Sequence, residues 1–182
     1  VSGGLGLCQG VGALADKMRL VLYETGIHFT ERVGPPGTKG TIPVWKAYIG
    51  MRRNRALCQW MPIHCGHGAA QKKIPEIVWG LPASQKAILL QALIEGDGTQ
   101  KYGDTFEYST TSPQLADDVQ RLSIECGRMS SQYALGRELL WHANRYAVTI
   151  GRANRRHIGV RTARHVQKVT YDGMVYCLTV PT

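Results

Sequence analysis

The stretch Leu90-Gln91-Ala92-Leu93-Ile94-Glu95-Gly96-Asp97-Gly98 limits what this chain can fold into more than any other. It ends a predicted helix that starts near Ser84 and carries apolar side chains at Ala87, Ile88, Leu90, Ala92, Leu93 and Ile94. These are too many for one narrow stripe, so the helix is expected to be buried on more than one side. Gly96 and Gly98 permit backbone approaches that a Cβ would obstruct, and Asp97 between them delivers a carboxylate at the helix end. A helix C-terminus already carries partial negative charge, so a carboxylate there is costly unless a cation lies close by. A hard divalent cation such as Mg2+ would supply one.

Charge points the same way. Lys and Arg number 22 against 13 Asp and Glu, a net charge of +9, which favours a polyanionic partner such as nucleic acid over a merely basic soluble protein. At 182 residues, 43% hydrophobic and 19% charged, the chain can bury a core in one or two domains, and disorder is not expected. Cys8, Cys58, Cys65, Cys126 and Cys177 are odd in number and widely spaced, unlike a secreted disulfide framework. No run approaches the roughly 18 apolar residues of a membrane span, and Val1-Ser2-Gly3-Gly4 lacks the basic start of a signal peptide. The expected location is the cytoplasm, with no membrane partner.

Taken in order, a glycine-rich opening leads to helical spacing at Leu14, Met18, Val21 and Leu22, stopped at Gly26. Ile27 to Val33 and Ile42 to Met51 read as two strands of a hairpin around the loop Gly34 to Gly40, and Arg52, Arg53 and Arg55 open a short helix through Met61. Gly66 to Glu76 reads as a linker. Past it the order repeats more completely. Short strands at Thr99 to Lys101 and Thr105 to Thr110 follow the acidic helix. Ser112 caps a helix that opens on Pro113 and runs to about Cys126, and strands at Gln132 to Leu140 and Tyr146 to Ile150 close the unit. The expected class is α/β (α+β): an αββαββ repeat over 74–152, an incomplete first copy over 1–73, and a β segment over 153–182.

The nonapeptide, the upstream Lys73-Ile74-Pro75-Glu76 and the downstream run Ser112 to Leu122 together resemble a LAGLIDADG homing endonuclease of the type embedded in inteins. The likeness extends from about Ala13 to Arg152. It implies paired helices whose acidic ends hold divalent cations, below sheets that lie in the major groove of a long double-stranded DNA site. It further implies Asp97 as the metal-binding catalytic carboxylate, the Gly96 carbonyl as a second metal ligand, and Lys72 and Lys73 as basic groups near the scissile phosphate. An ordinary helix-ending Asp-Gly turn and solvated linker lysines are the competing readings of these residues. Glu95 is expected to orient the turn.

Lys101, Tyr102, Thr105, Glu107 and Ser109 offer hydrogen-bonding groups suited to base edges, with Phe106 and Tyr108 on the opposite face. Arg53, Arg55, Arg145, Arg152, Arg155 and Arg156 suit phosphates. Val169 to Thr182 resembles the penultimate block of an intein splicing domain, of the Hint type, around an Asp172-Gly173 turn. That resemblance makes Cys177 a splicing candidate, against the alternative of a buried strand cysteine. The expected terminal His-Asn is absent, so splicing by this polypeptide alone is not expected.

Gly4 to Gly12 echoes the nonapeptide, with Val11 where the acid belongs, and a chance likeness in a glycine-rich segment competes with that reading. No gap for two strands follows Gly12, so the first unit is expected to lack half its sheet and its carboxylate. Three explanations stand: a degenerate remnant, a fragment completed by missing sequence or a complementary chain, and a homodimer in which two copies of Asp97 meet. Cys58, His64, Cys65 and His67 match no familiar zinc spacing. The loop Gly34 to Gly40 lacks the strand-to-helix setting of a phosphate loop.

The leading expectation is metal-dependent cleavage of double-stranded DNA. A nucleic-acid-binding module without cleavage and an intein splicing-domain fragment are its rivals. If the arginines contact phosphates, affinity for duplex DNA will fall steeply with salt, each contact adding about 0.9 to the log–log slope. Titration of a duplex across a salt series checks this, and a salt-independent affinity would contradict it.

Overall fold

Alternation decides the first sheet. In Gly4–Gly10, strand β1, Leu5 and Leu7 point inward while Gly4, Gly6, Cys8 and Gly10 face out, the period of two expected of a strand. β1 pairs antiparallel with β3 (Val44–Gly50), which pairs antiparallel with β2 (Thr30–Gly34), so the order is β1-β3-β2. Helix α1 (Ala13–Glu24) and helix α2 (Arg55–Cys65) cover the inner face. Ala15 and Leu22 of α1, Trp45, Ala47 and Ile49 of β3 and Cys58 of α2 form one buried cluster. Arg19 of α1 donates to Glu31 at 2.8 Å, and the Trp45 indole N–H donates to the same carboxylate. Asn54, just before α2, bonds the backbone of His28 and of Gly50 and so joins both strand ends to the helix start.

The computed structural model describes residues 3–37, 40–136, 145–152, 170 and 172–174. Its second unit comprises α3 (Ala83–Asp97), β4 (Gly98–Tyr102), β5 (Thr105–Thr110), α4 (Pro113–Glu125), β6 (Arg128–Gly136) and β7 (Arg145–Arg152). These strands form one antiparallel sheet in the order β4-β5-β7-β6. Tyr108, Val148 and Ile150 point from it into a core shared with Leu90 and Ile94 of α3 and with Leu115, Val119 and Leu122 of α4. Full burial of each such aliphatic side chain is worth about 1.5–3 kcal/mol, which makes this cluster the main stabilising element of the unit. The mixed α/β class and the αββαββ order of the second unit agree with the sequence.

Several expectations are corrected. Gly4 to Gly12 does not form a damaged acidic helix, because Gly4–Gly10 is a strand and Val11 sits in the turn after it, its N–H bonded to the Pro43 carbonyl at 2.8 Å. Two residues separate β1 from α1, as two separate β5 from α4, and the orders β1-β3-β2 and β5-β7-β6 correspond. The first unit therefore matches β5, α4, β6 and β7 of the second, and its sheet has three strands rather than half a set. Among the described residues it has no counterpart of α3 or β4. The period-two Gly-Leu alternation is incompatible with a helix face, and this is why the segment folds as a strand.

The expected linker is largely exposed but anchored to the second unit. It includes a short 3-10 turn at Ala69–Gln71, and Ile74 is buried in the second core. Helix α3 is buried on one side only: Lys86, Leu90 and Ile94 face the core, while Ile88 is 70% exposed on the other side. Among the described residues no helix is long and apolar enough to cross a membrane.

Lys86 ties α3 to α4. Its ammonium pairs with Glu125 at 2.6 Å and donates to the Trp79 carbonyl at 2.8 Å, while Arg121 pairs with Glu125 at 2.7 Å and lies 4.1 Å above the Trp79 ring. Lys86 first, then Arg121, holds the Glu125 carboxyl below the usual carboxylate range. A depressed folded-state pKa gives stability that is complete above the unfolded value of about 4.3 and is lost as pH falls through the folded value. Thermal unfolding followed by circular dichroism is expected to show a midpoint that declines below about pH 4. Glu125→Gln should flatten part of that decline, and an unchanged decline would remove Glu125 from the account.

Candidate active site

The site begins where α3 becomes β4 without a connecting loop. The Gly98 N–H still donates to the Ile94 carbonyl, yet Gly98 already lies opposite Tyr108 in the sheet. A Cβ at Gly98 would come 2.5 Å from the Ile94 carbonyl oxygen and 2.9 Å from its Cα, so only glycine fits. Gly96 is different: a Cβ there meets nothing within 4 Å. The sharp junction leaves Asp97 exposed at the helix end, at the mouth of a cleft of about 300 Å³.

Lys72 and Arg145 line the same cleft, with Tyr108, Thr110 and Thr111 on its strand side. Two buried polar groups, Ser112 at the cap of α4 and Asp118 within it, hold the backbone at Lys72 and Ile74. The Ser112 hydroxyl donates to the Lys72 carbonyl at 2.6 Å and accepts from the Leu115 N–H at 3.1 Å, capping the helix in the same act. Asp118 accepts from the Ile74 N–H at 2.8 Å and from Gln114 at 2.9 Å. Lys73 turns away. Its N–H bonds the Cys65 carbonyl at 3.0 Å, and its charge partly offsets the burial that pushes the Cys65 thiol up. Burial, and after it the charge of Asp97, pushes the Tyr108 phenol up to about 12, so it remains a hydrogen-bond donor at neutral pH.

Among the described residues no cluster of three or more His, Cys, Asp or Glu side chains could hold a metal ion. A dedicated cage is therefore not what Asp97 offers. One exposed carboxylate beside last-turn carbonyls such as that of Gly96 fits Mg2+, which takes one or two carboxylates and fills its octahedron with water and substrate phosphate. Glu95 does not join Asp97: it pairs with Lys17 of α1 at 2.7 Å and accepts from Gln91 at 3.0 Å, and these partners lower its pKa. The cysteine and histidine groups of the first unit do not converge either. Cys58 is buried against the Ile49 carbonyl, and His64 stacks on Trp60.

The outer face of the second sheet carries Thr105, Glu107 and Ser109, opposite in direction to core-facing Phe106 and Tyr108. Glu107 is already engaged there, with Lys101 at 2.9 Å and the Tyr133 hydroxyl at 2.6 Å. Tyr102 is 75% exposed near the hairpin tip, and Arg152 pairs with Asp104 at 2.6 Å on the sheet rim. Arg53 lines a groove beside the first sheet, and Arg55 is exposed at the start of α2. Arg155, Arg156 and Cys177 lie outside the described residues.

Sequence reasoning missed the outer face of the first sheet. There Cys8, Lys46 and Arg32 form one cross-strand row and Gly6, Tyr48 and Thr30 the next, over a shallow depression of about 650 Å³. The period-two pattern of β1 and β3 would have exposed it. Arg145, read as a phosphate contact only, belongs to the Asp97 cleft, and Tyr133 has no local signal at all.

No family model matches the chain. Its architecture is similar to structures of the homing endonuclease I-DmoI. A structure from its mesophilic variants aligns with a TM-score of 0.53 at 12% identity, over 81% of this chain and 73% of that one. A variant in complex with its target DNA in the presence of Mg gives 0.50 at 11% identity over the same shares, and a complex with DNA and Mn gives 0.51 at 10%. The fold is that of the LAGLIDADG homing endonucleases.

Shorter stretches match other proteins. The chain is 44% identical over 73 residues to the DNA gyrase A protein of Mycobacterium gordonae, covering 38% of this chain and 13% of that protein. It is 36% identical over 84 residues to the ATP-dependent DNA helicase Hel308 of Thermococcus kodakarensis, covering 43% and 8%. Over 66 residues it is 39% identical to the ATP-dependent Clp protease proteolytic subunit of Chlamydomonas moewusii, covering 36% and 6%. The chain thus spans only a small part of each of these relatives.

At the end of α3 the two glycines have different tasks, and substitution separates them. Gly98→Ala is expected to destabilise the chain by about 1–3 kcal/mol, an overpacking cost against backbone. Gly96→Ala, at an open helical position, should be neutral or stabilising by up to about 1 kcal/mol. Urea unfolding of the two variants measures the contrast, and equal effects would contradict it.

Proposed function

We propose that this chain is a metal-dependent DNA endonuclease of the homing type, derived from an intein, and that Asp97 is its metal-binding catalytic carboxylate. The observation that carries the proposal is the convergence of Asp97, Lys72 and Arg145 on one cleft at the end of α3. Phosphodiester hydrolysis requires neutralisation of the phosphate and a positioned water. Lys72 and Arg145 offer cationic donors to phosphate oxygens, and the Tyr108 hydroxyl offers a neutral donor held in its protonated form. Asp97 and the Gly96 carbonyl would hold a divalent cation, which would supply the remaining charge neutralisation and Lewis acidity toward water. Lys73 is left out of this assignment because its neighbours are on Cys65, away from the cleft.

The intein origin draws on the short matches. Gyrase, helicase and protease subunits have no activity in common, so matches of 66 to 87 residues to each of the three fit an inserted element better than any host activity. Among the described residues α3 is the one helix that ends on a Gly-Asp-Gly turn, and its face around Ile88 is exposed, with the Lys17–Glu95 pair to α1 at its far end. A single competent end cuts one strand. A double-strand break would call for a second acidic end, from a second copy or a complementary segment.

The test uses a supercoiled plasmid carrying a duplex that the chain selects from a random pool. With Mg2+ the expected product is open circle rather than linear DNA, and Asp97→Asn should lower the nicking rate by about 10²-fold or more while leaving binding intact. Lys72→Met should do the same with a smaller loss. Tight binding with no nicking by the unmodified chain would favour the binding-module alternative and remove the enzyme.

A further inference from the structure

A carboxylate is an unexpected group on a surface meant to face DNA. The outer face of the second sheet holds Glu107 near its centre, between Thr99 of β4 and Thr149 of β7, with Ser131 of β6 next in the same row. A surface ion pair adds little to stability, so the Lys101 contact does not by itself account for Glu107. The carboxylate is also more constrained than an ion pair requires. One oxygen accepts from Lys101 at 2.9 Å and the other from the Tyr133 hydroxyl at 2.6 Å, which fixes its plane. A carboxylate has about four acceptor positions, of which these two contacts take one on each oxygen, and 18% of the side chain stays exposed on the sheet face. The Tyr133 hydroxyl and then Lys101 keep Glu107 below the usual carboxylate range, and it is therefore anionic at neutral pH.

This arrangement sets a fixed acceptor beside a donor, within one hydrogen-bond length, on an open sheet face. In the major groove a G·C pair displays the converse: the guanine O6 and N7 acceptors beside the cytosine N4 amine. Guanine and thymine both turn acceptors toward a carboxylate, and the adenine N6 amine lies between two acceptors, its own N7 and the thymine O4, so cytosine is the base that leaves one flank of its amine clear for Glu107. We infer that Lys101 and Glu107 act as one unit that reads a single G·C base pair of the target duplex, with Glu107 on the cytosine amine, Lys101 on guanine, and Tyr133 as the positioning residue. The inference rests on the DNA-binding reading proposed above and adds a specificity-determining pair to it.

Selection from a fully randomised duplex pool with the full chain, followed by sequencing, tests it. The unmodified chain should enrich sites with a G·C pair in one fixed orientation at a single position, by about five- to a hundredfold over other pairs there. Glu107→Gln should change that one position toward adenine, whose N6 and N7 suit an amide, and leave the others as they were. Tyr133→Phe, which keeps the ring, should broaden the same position only. If the unmodified chain selects a site but Glu107→Gln leaves its profile unchanged or weakens every position equally, the pair is structural and the inference is overturned while DNA recognition stands. If no duplex is enriched, the inference and the DNA-binding reading fall together.

Discussion

The passage from α3 into β4 at Gly98 is the constraint on which the rest of the structure depends. A helix normally ends in a loop whose length blurs the position of its last side chains. Here the chain enters the sheet at the next residue, with the Gly98 N–H still bonded to Ile94 and no room for a Cβ against that backbone. Asp97 is thereby fixed relative to both the helix axis and the sheet. Tyr108, opposite Gly98, and the strand-end threonines become the wall of the cleft as a direct consequence.

The electrostatics follow from that placement. A carboxylate at the negative end of a helix is unfavourable unless cations approach it, and in this chain they come from distant parts of the sequence. Lys72 is carried in by a segment pinned to α4 through Ser112 and Asp118, and Arg145 by the first residue of β7. Glu95, on the next position but one, has its charge met by Lys17 of α1, which links the first unit to the acidic helix. The two carboxylates are thus sorted by their partners: one joins structure, the other is left open to a ligand.

The same sorting applies to the basic residues. The excess of positive charge does not form one undifferentiated patch: Arg121 and Lys86 serve packing, Arg152 closes a rim contact with Asp104, and Lys101 orients Glu107. Net charge identifies the class of partner, while the paired geometry determines which cations remain for it. In the first unit the outward glycines of β1 leave a shallow face with Lys46 and Arg32 across it, a second basic surface built on an abbreviated version of the same strand order.

What the sequence determined by itself was local in origin. The helix ending on Gly96-Asp97-Gly98, the Ser112-Pro113 start of α4 and the alternation of β5 each depend on neighbours a few residues apart, and each was legible without the fold. In Gly4 to Gly12 the structure decides for the chance likeness over the motif echo, and the period of two that marks a strand is the physical reason. Other decisions belonged to tertiary structure alone. Lys72 rather than Lys73 reaches the cleft because Ser112 and Asp118, some forty residues on, fix the backbone that carries them. Tyr133 meets Glu107 across β7, a contact set by strand order. One face of α3 stays exposed because apolar content says how much surface a helix could bury, and only packing neighbours decide how much it does.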